Sequence, residues 1–424
     1  MSGNRKVFND WIDTLEDNLM NESESLAKEH KTGPRKLFYN YFDTSIKSYD
    51  SIDYTISMPL DKHNLPSGYG IIKRKKSWVW PKLSGFTSWE ALKRCSRLHS
   101  MEGTFVEGMP NGLVTLTYCN GVRFQTIFHL GVPYGLVLGH FKQMIIWVGR
   151  WIEGETVESV CSVEPDGGCI LTGETQNGEN TGPDMVFLYP DLVTGLRGQW
   201  QDGTMIKARE VTVNCIDILN DKIRLSCSSM TGPEFEFAPS GAKDFGISDP
   251  LIEDPYEQKY IFVRDSEMES GGQGVYAKEN LPKGVIAAVF NGFRIALGSG
   301  CNLTEGIVEE EKVYERLSYN IHMPEDEDFF IDLPPDKADL KVYCGSLGHK
   351  VNHSFLPNCM FGTMYHPRWG RVRTVETIKE VKMGQELLVD YGYDLMRSPE
   401  WYKALWTKEL GKDGKKYWEV IKKS

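Results

Sequence analysis

Short glycine-containing turns that recur at a nearly constant spacing constrain the fold of this chain more than any other feature. Five turns stand 23, 23, 24 and 25 residues apart, at Glu107-Gly108, Leu130-Gly131, Glu153-Gly154, Asn177-Gly178 and Asp202-Gly203. Three of them are followed four residues later by another glycine, at Gly112, Gly135 and Gly182. Aromatic or apolar stretches precede the turns, as in Arg150-Trp-Ile. This pattern is typical of β-hairpins repeated along a chain.

A repeat of this length cannot bury an apolar face alone and must stack on its neighbours. We therefore predict an elongated, single-layer β-hairpin solenoid over residues 101–210. The paired glycines and aromatic residues resemble those of MORN repeats. Arrays of this kind serve as structural or docking platforms, and we expect the same role here.

Four further regions are predicted before and after the hairpin array. Phe8, Trp11, Leu15 and Leu19 recur at helical spacing, which predicts an amphipathic helix within the N-terminal region, residues 1–100. Prolines interrupt residues 211–255, which we interpret as a connecting β segment. A second domain is predicted over residues 256–395, followed by a C-terminal helical segment over 396–424.

Net charge restricts the classes of partner. The chain carries 48 Lys and Arg against 59 Asp and Glu, a formal charge of −11. Binding of naked nucleic acid needs a dense basic face, so we expect no direct nucleic-acid binding. A basic peptide suits this charge better, and the acidic stretches at 305–315 and 325–336 would attract it. The alternative is that these stretches are solvated acidic loops.

The cysteines and the hydropathy of the chain indicate in which cellular compartment the protein resides. The nine cysteines contain no C-x-x-C pair, which predicts reduced thiols, an intracellular protein and no structural metal. No apolar run approaches the roughly 18 residues of a membrane span, and the N-terminus has no apolar signal core. We predict a soluble monomer without membrane association.

Two segments of the second domain carry the strongest functional signal. They are Gly348-His-Lys-Val-Asn-His-Ser-Phe-Leu-Pro-Asn-Cys359 and Gly384-Gln-Glu-Leu-Leu-Val-Asp-Tyr-Gly-Tyr393. Together they resemble the signature of SET-domain protein-lysine methyltransferases. Two earlier blocks agree in order, Gly271-Gly-Gln-Gly-Val-Tyr-Ala277 and Phe290-Asn-Gly-Phe-Arg-Ile295. With the upstream array, the chain is similar to the MORN-SET methyltransferases that monomethylate histone H3.

This resemblance implies a mainly β fold of small curved sheets. The Asn352-His353 segment is expected to pass beneath a loop around Tyr391, in a pseudoknot-like threading, and a short helix follows at the C-terminus. Such threading is rare and gathers residues distant in sequence around one narrow site. It implies a SET catalytic domain over residues 256–395.

The methyl donor implied by the resemblance is S-adenosyl-L-methionine. Tyr391 corresponds to the active-site tyrosine, whose hydroxyl orients the methyl group and the lysine amine. Alignment of the two reactants is the main requirement, because the sulfonium methyl is already activated. The family pattern assigns donor binding to a further set of residues: Gly271, Gln273, Asn320, Asn352, His353 and Trp401.

Substrate binding is assigned by the same resemblance to residues around a peptide groove and lysine channel: Phe290, Tyr343, His349, Lys350, Phe361, Arg373 and Tyr393. Phe290 and Phe361 stand where the monomethylating relatives have tyrosines. Loss of two hydroxyls removes hydrogen bonds and can leave space for a methylated amine. The sequence therefore predicts methylation beyond the monomethyl stage, a different substrate, or loss of activity.

The leading functional hypothesis is a lysine methyltransferase acting on the N-terminal tail of histone H3, on non-histone proteins, or on both. A MORN-SET scaffold that is weakly active or inactive and binds peptide or membrane partners is the alternative. The methyltransferase hypothesis implies a chromatin regulator in the nucleus, on chromosomes or in the cytoplasm, with the nucleus favoured slightly.

Overall fold

A computed structural model describes residues 3–29, 54–57, 59, 62, 67–74, 98–107, 109–118, 121–141, 144–152, 156–163, 170–172, 175–176, 179–219, 222–238, 250–268, 271–296, 310–323, 329–396 and 398–411. The chain divides into two compact units, Met1–Glu236 and Phe237–Ser424. No helix in these described ranges is long and apolar enough to cross a membrane.

Among its described residues, the first unit contains helix α1 (Gly3–Glu29) and an antiparallel sheet. Its strands follow one another along the chain: β1 Tyr54–Ser57, β2 Gly68–Arg74, β3 Leu98–Val106, β4 Met109–Tyr118, β5 Val122–His129, β6 Val132–Phe141, β7 Met144–Ile152, β8 Thr156–Val163, β9 Ile170–Thr172, β10 Thr175–Gln176, β11 Glu179–Asn180, β12 Gly182–Leu188, β13 Thr194–Gln201, β14 Thr204–Leu219, β15 Lys222–Cys227 and β16 Thr231–Phe235. Within the described residues, the main sheet has 14 strands in the order β1 to β9, then β12 to β15, with β16 beside β14, and β10 and β11 form a separate hairpin.

Left-handed backbone conformations close the hairpins at the repeated turns. Leu130 and Gly131 have φ values of 43° and 86°, and Asp202 and Gly203 have 51° and 75°. The register across these turns joins His129 to Val132 and Gln201 to Thr204, so each turn has two residues. Positive φ at both positions is the geometry that matches the twist of paired strands. The repeat therefore predicts these turns correctly, while Glu153-Gly154 and Asn177-Gly178 lie outside the described residues.

The sheet extends beyond the predicted array on both sides. Strands β1 and β2 precede residue 101 and pair with each other and with β3. Strand β14 continues to Leu219 and pairs with β15 and β16. The sequence before residue 101 therefore belongs in part to the same sheet.

Helix α1 packs its apolar stripe onto the sheet. Phe8, Trp11, Leu15 and Leu19 are buried in one core with sheet side chains such as Leu138. Burial of such a side chain contributes about 1.5–3 kcal/mol each. The helix predicted from the spacing of these residues is present, and it docks on its own unit.

A polar contact fixes the second half of α1. Glu22 accepts a hydrogen bond from the Leu136 amide at 3.2 Å and pairs with Arg150 at 3.2 Å. Gly135 lies beneath this carboxylate, and a Cβ there would approach Glu22 Cδ to 2.7 Å. Gly135 also has a φ of 63°, so both the conformation and the close approach require glycine.

The second unit is built of short sheets. Its strands are β17 Ile261–Asp265, β18 Gln273–Ala277, β19 Ile286–Phe290, β20 Phe293–Ala296, β21 Asn320–His322, β22 Phe329–Asp332, β23 Asn352–His353, β24 Cys359–His366, β25 Gly370–Thr377 and β26 Leu388–Val389. The helices are α2 Pro255–Tyr260, α3 Glu310–Arg316 and α4 Glu400–Leu410, with 3-10 turns at Pro335–Lys337 and Gly348–Lys350.

Four small sheets organise these strands in the described part of the unit. Strands β17 and β18 form a hairpin, β19-β25-β24 and β20-β22-β21 are three-stranded antiparallel sheets, and β23 pairs with β26 in parallel. The predicted fold class, mainly β with a hairpin array, a SET-type β domain and a short C-terminal helix, is confirmed.

Candidate active site

The parallel pairing of β23 with β26 brings the two strongest sequence motifs together. Asn352 lies opposite Leu388 and His353 opposite Val389. The amide of Ser354 extends the ladder by donating to Val389 O at 2.9 Å. Residues separated by more than thirty positions are thus held side by side, as the resemblance implied.

His353 connects this pair to the predicted catalytic tyrosine. The Tyr391 amide lies 3.1 Å from His353 Nδ1, and the Val389 carbonyl oxygen lies 3.2 Å from the same nitrogen. Burial lowers the pKa of His353 to about 4, although Asp390 opposes this change, so the ring is neutral at physiological pH. Among the described residues, buried Nε2 has no hydrogen-bond partner. A polar atom of this kind suits a bound ligand.

Tyr391 presents a protonated phenol. Its hydroxyl donates to Val351 O at 2.7 Å, and burial raises its pKa. The rings of Tyr393 and Trp401 lie 5.5 and 6.5 Å from the Tyr391 ring between centroids. Because the phenol remains neutral, its hydroxyl can donate a hydrogen bond and is a poor nucleophile.

Glu386 joins residues of the predicted methyl-donor site in a hydrogen-bonded network. Its carboxylate accepts from Asn352 Nδ2 at 2.8 Å, Tyr276 Oη at 3.0 Å and Ser266 Oγ at 2.9 Å. A Cβ at Gly274 would lie 2.8 Å from Glu386 Cδ, so glycine permits this approach. Glu386 therefore fixes the β17–β18 hairpin against β23.

The structure brings Gly271 and Gln273 into the same region. The Gln273 carbonyl accepts a second hydrogen bond from Asn352 Nδ2 at 3.2 Å. The Gly271 amide donates to Met268 O at 3.0 Å, and a Cβ at Gly271 would meet Ser266 Oγ at 2.7 Å. The three predicted donor-binding residues of this hairpin and β23 thus converge.

Trp401 and Asn320 differ in their placement. Trp401 is the second residue of α4 and is 46% exposed, and its ring lies edge-on to His353 at 6.2 Å. Asn320, by contrast, donates to Asp332 Oδ1 at 3.2 Å, and Asp332 also binds Arg316 in a two-pronged ion pair. Trp401 is therefore adjacent to the His353 site, whereas the Asn320 amide is engaged within the β20-β22-β21 sheet.

Aromatic rings surround His349 on the predicted substrate side. The rings of Phe290, Tyr319 and Tyr343 lie 6.4, 5.9 and 5.6 Å from the His349 ring. Burial, aided by the Lys350 charge, lowers the pKa of His349 to about 3. The Lys350 ammonium lies 5.9 Å from the Tyr319 ring centre, and burial lowers its pKa as well.

Phe361 and Arg373 lie on the sheet that carries Phe290. Strand β25 places Arg373 opposite both Phe290 on β19 and Thr363 on β24. The Arg373 guanidinium stands over the Phe361 ring at 5.5 Å. Tyr393 contacts Tyr391 and Tyr402. These contacts describe a wall rich in aromatic groups.

Sequence reasoning did not assign roles to Glu386, Ser266, Tyr276 or Tyr319. Glu386 lies inside a quoted motif, but its three partners are distant in sequence. Tyr319 directly precedes Asn320, within a region where acidic residues obscure the family pattern. A polar residue with several side-chain partners leaves no periodic signal in the sequence.

The joined motifs, the neutral Tyr391 phenol and the surrounding aromatic side chains define a SET-type methyltransferase site. The SET domain model matches residues 272–392. A second model, described as the N-terminal part of the histone H3 K4-specific methyltransferase SET7, matches residues 151–222.

Comparison with individual proteins gives the same result. Histone-lysine N-methyltransferase SETD7 of Halocynthia roretzi is 30% identical over 269 residues, which cover 61% of this chain and 67% of that protein. Histone-lysine N-methyltransferase EZH2 of Chaetomium thermophilum is 27% identical over 136 residues, 32% of this chain and 8% of its own length. The chain belongs to the SETD7 family of SET-domain protein-lysine methyltransferases.

A solved structure of ctPRC2 in an autoinhibited conformation bound to S-adenosylmethionine is 25% identical, with a TM-score of 0.26, and covers 35% of this chain and 17% of that one. Independently of this structure, the SET domain and the SETD7 relative make the chain an S-adenosylmethionine-dependent protein-lysine N-methyltransferase.

Proposed function

We propose that the chain methylates a lysine in the N-terminal tail of histone H3, in basic non-histone proteins, or in both. The observation that carries the proposal is the β23–β26 pairing, which holds Asn352, His353 and Tyr391 at one site. The relative named as a histone-lysine methyltransferase supports the substrate class. A net charge of −11 favours a basic peptide over nucleic acid.

The residues present fit the methyl donor. His353 Nε2 offers a buried hydrogen-bonding atom without a partner in the described structure, and exposed Trp401 offers a stacking face beside it. Asn352 on β23 and the backbone of Gly271 and Gln273 on the adjoining hairpin provide further polar groups. When bound, S-adenosylmethionine supplies an activated methyl group.

The chain's own residues orient the acceptor. A substrate lysine has an ordinary pKa near 10.4, and an aromatic, desolvated channel favours its neutral, reactive amine. The Tyr391 hydroxyl, fixed on Val351 O, directs that amine along the transfer line. The buried, mutually adjacent rings of Phe290, Tyr343 and His349 supply aromatic surface for such a channel.

The product proposed from Phe290 and Phe361 is di- or trimethyl-lysine. Neither ring carries a hydroxyl that could hold the amine or an ordered water. A saturated time course that yields only monomethyl-lysine would refute this assignment. Such an enzyme would work in the nucleus or on chromatin, where basic tails are abundant, and we propose that location.

The test is mass spectrometry of histone and peptide arrays incubated with labelled S-adenosylmethionine. Wild type should transfer methyl groups, and Tyr391→Phe should lose most of this activity. Tyr69→Phe, which removes an exposed hydroxyl bonded to Glu102 in the first unit, serves as the control and should keep it. Donor binding without transfer by wild type would favour a weakly active scaffold instead.

A further inference from the structure

Glu257 in helix α2 has a buried carboxylate with no role assigned so far. The residue is 1% exposed. Its Oε1 atom accepts hydrogen bonds from the amide of Val289 at 2.8 Å and from the amide of Leu347 at 3.1 Å, and the Leu347 amide also donates to Oε2 at 3.2 Å. One buried carboxylate therefore joins two segments far apart in sequence.

Each segment leads directly into a residue predicted to bind the substrate. Val289 precedes Phe290 at the end of β19, and Leu347 precedes the 3-10 turn Gly348–Lys350, which carries His349. The two segments also touch at Gly348, where a Cβ would lie 2.6 Å from Val289 O. Strand and turn thus approach as closely as the backbone permits, at the point that Glu257 bridges.

Helix α2 is itself firmly anchored. Asp254 caps the helix by accepting from the amides of Tyr256 and Glu257 at 3.0 and 3.1 Å. The other Asp254 oxygen lies 3.0 Å from His366 Nε2. The Tyr256 hydroxyl donates to Ile286 O at 2.6 Å, on the same strand that Glu257 contacts. Glu257 is therefore held at a fixed distance from β19.

Protonation does not remove the contact. Burial raises the pKa of Glu257, and the nearby Asp254 charge raises it further, while the two amides oppose the change. A carboxylic acid protonated on Oε2 still accepts through Oε1. The bridge is therefore available in both charge states, and the neutral amide of glutamine can reproduce it.

We propose that Glu257 is a positioning residue that sets the spacing between Phe290 and His349, and thereby how the substrate lysine is held. The proposal rests on the lysine methyl transfer proposed above. Glu257 touches neither the donor nor the lysine, and it acts through the two amides. Its loss should therefore change peptide kinetics and methyl number while the donor site stays intact.

Glu257→Gln and Glu257→Leu separate the hydrogen bonds from the volume of the side chain. Steady-state kinetics with a histone H3 peptide, product mass spectrometry, donor Kd by calorimetry and thermal unfolding are measured for each. Glu257→Gln should stay within about twofold of wild type, because it keeps the acceptor. Glu257→Leu should lose about tenfold or more in kcat/KM for peptide, the effect of two buried amides left unpaired.

Gly348→Ala provides a second perturbation of the same junction if Glu257→Leu fails to fold. Its added methyl group pushes the turn from β19, so it should reproduce the peptide defect and the altered methyl distribution. Gly284→Ala is the control for a general loss of stability in the same unit, since its φ of 83° strains alanine while nothing lies within 4 Å of the added Cβ, and its peptide kinetics should match wild type.

Wild-type peptide kinetics and methyl distribution in folded Glu257→Leu or Gly348→Ala would overturn the proposal. Equal losses of donor and peptide affinity would also overturn it, because they would indicate a general structural role. If wild type transfers no methyl group, the proposed function fails instead. The peptide Kd, measured by calorimetry, is then the deciding measurement. Unchanged peptide affinity in both variants would contradict the positioning role.

Discussion

Substitution of Gly135 by alanine should weaken the docking of helix α1 on the sheet. Gly135 has a φ of 63°, and an alanine in this left-handed region costs about 1–2 kcal/mol. Its methyl group would also displace the Glu22 carboxylate, which loses the Leu136 amide and Arg150. Because Glu22 and Arg150 are about a quarter to a third exposed, these contacts contribute about 1–2 kcal/mol after solvent screening.

Gly112→Ala is a closely matched control. Gly112 also has a positive φ, 91°, so alanine is strained there as well. A Cβ at Gly112, however, approaches α1 no closer than 3.9 Å, at Ser23 Oγ. The two variants therefore share backbone strain and differ in the collision with Glu22.

Hydrogen exchange of the α1 amides, followed by mass spectrometry, measures the helix directly. Gly135→Ala should accelerate exchange about 5- to 30-fold relative to Gly112→Ala, the equivalent of about 1–2 kcal/mol. In a Glu22→Ala background, the difference between the two glycine variants should disappear. Equal exchange of α1 in Gly112→Ala and Gly135→Ala would refute the role of the Glu22 contact.

Four further measurements follow from the structure. The pKa values of His353, about 4, and His349, about 3, lie below the ordinary 6.5, so the folded state binds fewer protons than the unfolded state. The contribution of these two histidines to the free energy of unfolding should be fully present above pH 6.5 and should be lost as the pH falls toward 4. Chemical denaturation at several pH values measures this change. Trp401→Ala should weaken donor binding about tenfold, the effect of a lost base–aromatic stack, with little change in Tm; calorimetry and thermal unfolding test this. Phe290→Tyr should lower the fraction of di- and trimethyl product in mass spectra, and an unchanged distribution would contradict the channel assignment. Leu15→Ala should reduce the unfolding free energy of the first unit by about 2–5 kcal/mol in denaturant titration, because Leu15 is fully buried.

Local sequence signals predicted the features that depend on neighbouring residues. The turn at Leu130-Gly131 and the apolar stripe of α1 follow from spacing alone, since hairpins and helices are local structures. The span of the sheet was harder to predict. Strands β1 and β2 join it before residue 101 without a repeated turn to mark them.

Long-range polar contacts explain what the sequence did not reveal. Glu386 reaches Ser266 across 120 positions, and Glu257 reaches Leu347 across 90. Neither contact has a period or a characteristic spacing. The donor-binding role predicted for Asn320 came from alignment to a family pattern, and the Asn320 amide is engaged by Asp332. A motif predicts which residues meet the ligand, but the residues that hold them in place are specified by tertiary packing.

The pairing of β23 with β26 also determines when the enzyme becomes competent during its synthesis. Asn352 and His353 have no partner strand until Leu388 and Val389 have emerged from the ribosome. Closing a parallel pair over this separation is slow compared with forming a hairpin. The hairpin array, whose strands pair with their immediate neighbours, can fold while translation continues. A nascent chain therefore displays its platform well before it can methylate anything, and chains truncated before residue 388 should be folded in their first unit yet inert.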